Sequence, residues 1–231
     1  MTEKFAVIGL GMIGTGIAKS LAGRGAEVIA IDMDERKVES LKDEVALAVS
    51  LDSTDTKALQ AQNLQDTNAV VVAMGHDFES SLLTTVSLKE MGVKRIIARV
   101  SSKHQRVIFN KVGIQETFAP DEEVGKTVAE RLIHPDIEAF LPLPDDYEII
   151  EVKTPKRVIN KTITEANLRE KYDLNLVTIK RSFSEKEVNG ESVTVEHIIG
   201  VPKGDTKLLD TDILILLGKT KDVDRFIEVN R

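Results

Sequence analysis

Six residues near the start of the chain constrain its fold more than any others. Gly9-Leu10-Gly11-Met12-Ile13-Gly14 is a G-x-G-x-x-G run that follows a short apolar segment, residues 5–8, and opens an amphipathic one, residues 12–22. In a strand–turn–helix setting each glycine has its own reason. The first permits a tight turn, the second lets the backbone come against a pyrophosphate, and the third lets the helix pack closely on the sheet. The amides of the helix start then face negative charge. Asp32 stands 18 residues beyond Gly14, at the end of the next apolar run. A carboxylate there accepts ribose hydroxyls and repels a 2′-phosphate, which favours NAD, ATP or ADP over NADP. Arg36, close by on the following segment, weakens that exclusion.

The same alternation continues for about half the chain. Apolar runs at residues 5–8, 27–31, 45–51, 69–74, 95–99 and 115–118 are short, rich in Val and Ile, and nearly free of polar interruptions. Such runs mark strands buried on both faces of a parallel sheet. Helices are expected between them at residues 12–22, 35–42, 55–63, 78–91 and 103–111, with Gly23, Gly25 and Gly92 as stop signals. The fold class that follows is α/β, a Rossmann-type doubly wound parallel sheet spanning residues 1–120. Ligands in such sheets sit at the carboxyl ends of the strands. That places Met33, Asp52, Ser53, Met74, Gly75 and Arg99 around the cleft with the glycine run. Asp52 and Ser53 are candidates for an adenine edge, Gly75 for close approach to the ribose, and Arg99 for a phosphate or a carboxylate. Each has a plainer structural reading as a helix cap, a tight turn or a surface ion pair.

Residues 121–144 read as a crossover helix, about 121–132, followed by a linker ending in Leu141-Pro142-Leu143-Pro144-Asp145-Asp146. Residues 145–231 change texture and predict a smaller α+β domain. Strands are expected at 147–153, 175–183, 193–198 and 212–217, one short helix at 164–172 capped by Thr164, and a closing helix at 220–228 with Val223, Phe226 and Ile227 on one face. Asn189-Gly190 is a hairpin signal.

Composition removes several function classes. The net charge of −7 supplies no broad positive field for a phosphate backbone, so nucleic acid is not an expected partner. With no cysteine, disulfides, zinc–thiolate sites and cysteine nucleophiles are excluded. No apolar run approaches the roughly 20 residues that span a bilayer, and no secretory leader is expected ahead of the first strand. None of the four histidines has a metal-like i+4 partner or sits in a recognisable triad. His134 reads as a cap or surface residue and His197 as a core or interface residue. No catalytic residue is therefore expected. A nucleotide pocket without catalytic partners suggests a switch, because a ligand shifts an equilibrium by binding one state better than another. An NAD-dependent oxidoreductase and a free-standing nucleotide sensor remain as alternatives.

Residues 5–14, the strand end Ile31-Asp32-Met33-Asp34-Glu35, the turn Ala73-Met74-Gly75 and the segment Ala119-Pro120-Asp121-Glu122-Glu123-Val124-Gly125 together resemble the RCK (regulator of potassium conductance) family. The C-terminal half, with Asn160-Lys161-Thr162-Ile163, residues 168–181 and 208–214, is similar to that family's small companion domain. The layout resembles the cytosolic regulatory subunits of Ktr- and Trk-type potassium uptake systems. The resemblance implies a gating subunit, cytoplasmic and held at the membrane by a potassium-translocating partner, with dimers forming an octameric ring. It implies ATP or ADP in the pocket of Gly9, Gly11, Met12, Ile13 and Gly14, with NAD(H) open as well. Met12 stands where some relatives carry an arginine that reaches a γ-phosphate across the dimer. Cyclic di-AMP is implied at Ile163, Leu168, Arg169, Asn175 and Pro202, and a Mg or Ca ion at the dimer interface is implied at Asp121.

Overall fold

A computed structural model describes residues 2–75, 77–133, 135–186 and 192–231. The chain divides into two compact units, Met1–Glu123 and Val124–Arg231.

The first unit alternates strand and helix. Its strands are β1 (Lys4–Ile8), β2 (Glu27–Asp32), β3 (Leu47–Ser50), β4 (Ala69–Val72), β5 (Ile96–Arg99) and β6 (Glu116–Phe118). Its helices are α1 (Met12–Ala22), α2 (Glu35–Glu39), α3 (Thr56–Gln60), α4 (Phe78–Glu90) and α5 (Lys103–Lys111), and α6 (Pro120–Ile133) leads out of it. All strand pairs are parallel, in the order β3-β2-β1-β4-β5-β6, as the unbroken apolar runs predict. Strand order reverses between β1 and β4, so the switch point lies at the carboxyl ends of those two strands. Apolar clusters cover both faces of the sheet. One is built on Ile8, Ile31, Val72, Leu88 and Phe109, the other on Val7, Ala18, Val28, Ala30 and Leu41. The two faces follow directly from the alternation along each strand: Val7 and Ile8 point to opposite clusters.

The second unit holds β7 (Ile137–Pro142), β8 (Tyr147–Lys153), β9 (Asn175–Lys186), β10 (Ser192–Ile198) and β11 (Asp212–Lys219), with helices α7 (Ile163–Ala166), α8 (Leu168–Tyr172) and α9 (Thr220–Asn230). Its sheet is antiparallel, in the order β10-β9-β11-β8-β7. Val223, Phe226 and Ile227 of α9 are buried in one core with Tyr172, Ile150 and Leu214, and the Tyr172 and Phe226 rings meet edge to face at 5.2 Å.

Two expectations are corrected here. Leu141–Asp146 is not a linker. Leu141 and Pro142 pair with Ile149 and Glu148 of β8, and Leu143 N donates to Tyr147 O at 2.8 Å. Asp145 and Asp146 carry positive φ, 61° and 60°, so the Pro-Asp cluster is a hairpin turn. Pro142 is tolerated because β7 is an edge strand, where a missing N–H need break no ladder bond. The single helix at 164–172 is in fact two. Asn167 adopts a left-handed conformation (φ 46°, ψ 49°) and divides α7 from α8. The cap is Thr162, two residues earlier than expected, in a reciprocal capping box with Glu165. The Asn189-Gly190 hairpin signal lies outside the described residues. Among the described residues no helix is long and apolar enough to cross a membrane.

Candidate functional site

The glycine run turns the chain from β1 into α1 at the switch point. Gly9 has φ 93°, a conformation that side chains rarely adopt, and its N–H donates to Ile31 O at 2.8 Å. A Cβ on Gly9 would lie 2.8 Å from Met74 Cγ, and one on Gly14 would run into the Gly9 carbonyl oxygen. These two glycines are demanded by the fold. Gly11 is different: a Cβ there would meet nothing within 4 Å. Gly11 is the N-cap of α1 and supplies no side-chain cap, so the first-turn amides around Met12, Ile13 and Gly14 are left as outward-facing donors. The space over Gly11 is open.

Asp32 sits beside this turn and is almost wholly buried. Its Oδ2 accepts from Leu10 N at 2.7 Å and its Oδ1 from Asp34 N at 2.9 Å. The carboxylate expected to read a ribose thus also ties the glycine turn to the end of β2. A third partner was not anticipated. Lys37 Nζ lies 3.1 Å from Oδ2 and 3.4 Å from Oδ1. Arg36, expected near Asp32, has its guanidinium folded back on Asp34, with bonds of 3.1 and 3.0 Å. The helical spacing of α2 brings Lys37, five residues past Asp32, to the carboxylate.

Asp32, Lys37 and Gly9 line a cavity of about 230 Å³, closed by Ile8, Met33, Leu51, Asp52, Ser53, Met74, Asp77 and Ser80. Met33, on the cavity wall, and Met12 are strongly exposed, while Ile13 is half-buried. Asp52 and Ser53 reach the cavity wall with their side chains engaged. Asp52 bonds Thr54, whose hydroxyl and amide hold its carboxyl below the usual carboxylate range. Ser53 Oγ is 2.8 Å from Thr84 Oγ1 and buried. Asp77 caps α4 through the Ser80 hydroxyl and amide, which likewise lower its pKa.

Gly75 and Arg99 meet one another: a Cβ on Gly75 would lie 2.6 Å from Arg99 Cζ. Of the two partners considered for Arg99, the structure supplies the carboxylate, with Nη2 donating to Asp121 Oδ2 at 2.8 Å. Arg99 Nε is buried without a hydrogen-bond partner. Asp121, expected to hold a divalent cation, thus bonds a guanidinium through Oδ2 while its side chain stays exposed. Among the described residues no group of three or more His, Asp or Glu is arranged to hold a metal.

In the second unit, Arg169 and Asn175 are brought together, with a bond of 2.5 Å. Ile163 packs against the core and Pro202 is half-buried. Leu168 is buried in the core. His197 is exposed and meets the Phe183 ring edge-on at 5.6 Å, so it is not a core residue. His76 and His134 lie outside the described residues.

The asparatate clamp on Asp32 gives a direct expectation. Asp32→Ala removes the acceptor of Leu10 N and should cost about 1–3 kcal/mol. Denaturant unfolding should show that loss together with weaker nucleotide binding, whereas unchanged stability would contradict the clamp.

A TrkA-N domain model matches residues 5–120, and a TrkA-C domain model matches residues 147–230. The Ktr system potassium uptake protein C of Bacillus subtilis is 32% identical over 98% of this chain and 96% of its own length. This chain belongs to the TrkA/Ktr family. The Ktr system potassium uptake protein A of the same organism is 29% identical over 97% of the chain and 95% of that protein. The family is thus shared along essentially the whole length, as the resemblance drawn from the sequence implied. The chain is homologous to regulatory subunits of potassium uptake. Among solved structures, the GsuK RCK domain covers 100% of this chain and 48% of that one, with TM-score 0.64 and 14% identity. The GsuK channel bound to NAD covers 100% and 39%, with TM-score 0.62 and 15% identity. The same protein bound to ADP covers 57% and 35%, with TM-score 0.50 and 12% identity. This chain therefore spans less than half of each GsuK chain, and at these identities the likeness bears on the TrkA/Ktr fold alone.

Proposed function

We propose that this chain is the nucleotide-reading, cytoplasmic regulatory subunit of a potassium uptake system and not an enzyme. ATP or ADP, or alternatively NAD(H), occupies the cleft with its phosphates over Gly11 and the first-turn amides of α1, and its adenosine in the cavity beside Asp32. Binding shifts the subunit between states, and a potassium-translocating membrane partner is opened or closed by that shift. The working form is a homo-oligomer, dimers assembled into an octameric ring at the inner face of the membrane.

One observation supports this reading most directly: a buried carboxylate holds a glycine turn under the free amides of a helix start, with open space above Gly11. Homology to Ktr subunits over nearly the full length supports the transport role, and the NAD- and ADP-bound forms of GsuK support the ligand class. The polar groups on the cavity wall cap helices and turns, which supports binding without turnover. A cation at Asp121 would share that carboxylate with Arg99. Cyclic di-AMP in the second unit would have to be held mainly by Arg169 and Asn175.

Calorimetric titration with ADP, ATP and NAD, followed by chromatography of the recovered nucleotide, tests the proposal. Saturable binding with the nucleotide returned intact is expected, together with a ring-sized particle by light scattering. Failure to bind any of the three, or a strictly monomeric particle, would contradict it.

A further inference from the structure

We infer that Lys37 sets how the nucleotide site reads the ribose edge, and that it extends the ligand class to adenosine nucleotides phosphorylated at the 2′ position. The inference rests on the proposed nucleotide site. A lone carboxylate at the end of β2 repels a 2′-phosphate, but Asp32 does not stand alone. The Lys37 ammonium bridges both of its oxygens at 3.1 and 3.4 Å. Oδ2 already accepts from Leu10 N and Oδ1 from Asp34 N. With two lone pairs on each oxygen, the carboxylate is nearly saturated, and a ribose diol engaging both oxygens must lift Lys37 away.

Lys37 can make that move. Its side chain is 44% exposed while that of Asp32 is 8% exposed, so the lysine is the mobile partner and the aspartate the fixed one. Lifted off, the ammonium remains on the cavity wall beside the ribose, with three donors and a full charge. Arg36, the other nearby cation, is engaged by Asp34. Asp52 and Asp77 also line the cavity and oppose added negative charge, though each carboxylate is turned to its own cap. Lys37 is the one lining cation that offsets them among the described residues.

The experiment compares ADP with 2′-phospho-ADP by calorimetry on the full chain, for the wild type, Lys37→Met, Lys37→Arg and Arg36→Met. The wild type is expected to bind both, with the 2′-phosphate costing less than about tenfold. Lys37→Met should raise that penalty by roughly another tenfold or more, the effect of losing a charge partner at a partly exposed site. Lys37→Arg should keep the tolerance, and Arg36→Met should leave the ratio unchanged. ADP bound while the wild type excludes 2′-phospho-ADP overturns the inference. So does an unmoved ratio in Lys37→Met, or loss of both ligands in that variant. Absence of ADP binding to the wild type would instead overturn the underlying nucleotide site, and this inference with it.

Discussion

Gly11→Asp is expected to leave the fold intact and to weaken nucleotide binding by about a hundredfold or more. The two effects separate because Gly11 faces open space and holds φ −71° with extended ψ, a conformation any residue accepts. Aspartate is moreover a good N-cap, so stability should change by no more than about 0.5 kcal/mol. The same carboxylate would cap the amides meant for phosphate and place negative charge against it. An affinity loss of about 3 kcal/mol, over a hundredfold, is expected from that repulsion in a partly enclosed site. Unfolding curves and ADP titration on the same preparation check both halves. Retained affinity would mean that the phosphates lie elsewhere. Gly9 and Gly14 offer no such separation, since a side chain at either meets the backbone or Met74 and damages the turn itself.

The second large effect lies in the C-terminal unit. Asp212 is fully buried at the start of β11, where it accepts from Arg181 Nε and Nη2 at 2.7 Å each and from Leu209 N at 2.8 Å. The Arg181 guanidinium is itself mostly buried and also donates to Lys207 O. Bonding to Asp212 raises the Arg181 pKa above its ordinary value. Asp212→Ala strands the guanidinium in the interior, and breaking a buried pair in this way costs about 3–5 kcal/mol. For a unit of this size that is a melting-temperature drop on the order of 15 °C. The Arg181→Met/Asp212→Leu double variant should lose less than Asp212→Ala, because it removes both buried charges. The first unit has its own cores and should keep its nucleotide affinity. A loss below about 1 kcal/mol in Asp212→Ala would show that water reaches the pair.

The first unit was the more legible of the two in the sequence, and the reason is physical. Strands buried on both faces must be apolar at nearly every position, so Ala69–Val72 and Glu27–Asp32 stand out without any partner being known. The second unit depends on pairing that a single sequence does not display. Pro142 reads as a breaker until β7 is seen at a sheet edge, and Asp145-Asp146 reads as a linker until both φ angles are positive. Thr162-x-x-Glu165 is a capping-box signature that was available, but Thr164 competed with it. At the site, residue types on the glycine run and Asp32 carried the reading. The side-chain pairings did not follow from it. Lys37 rather than Arg36 on Asp32, and Arg99 on Asp121, are choices between near-equivalent charges that only the backbone geometry makes. Arg181 and Asp212 are 31 residues apart and meet only because β9 and β11 pair in register.

Amide hydrogen exchange with and without ADP tests the central claim most directly. Slowed exchange is expected in peptides covering residues 9–15, where the free amides of α1 would gain phosphate acceptors, and 31–38, where ribose would engage Asp32 and Lys37. Unchanged exchange in both segments at saturating ADP, or protection confined to the C-terminal unit, would contradict a nucleotide held on the glycine turn.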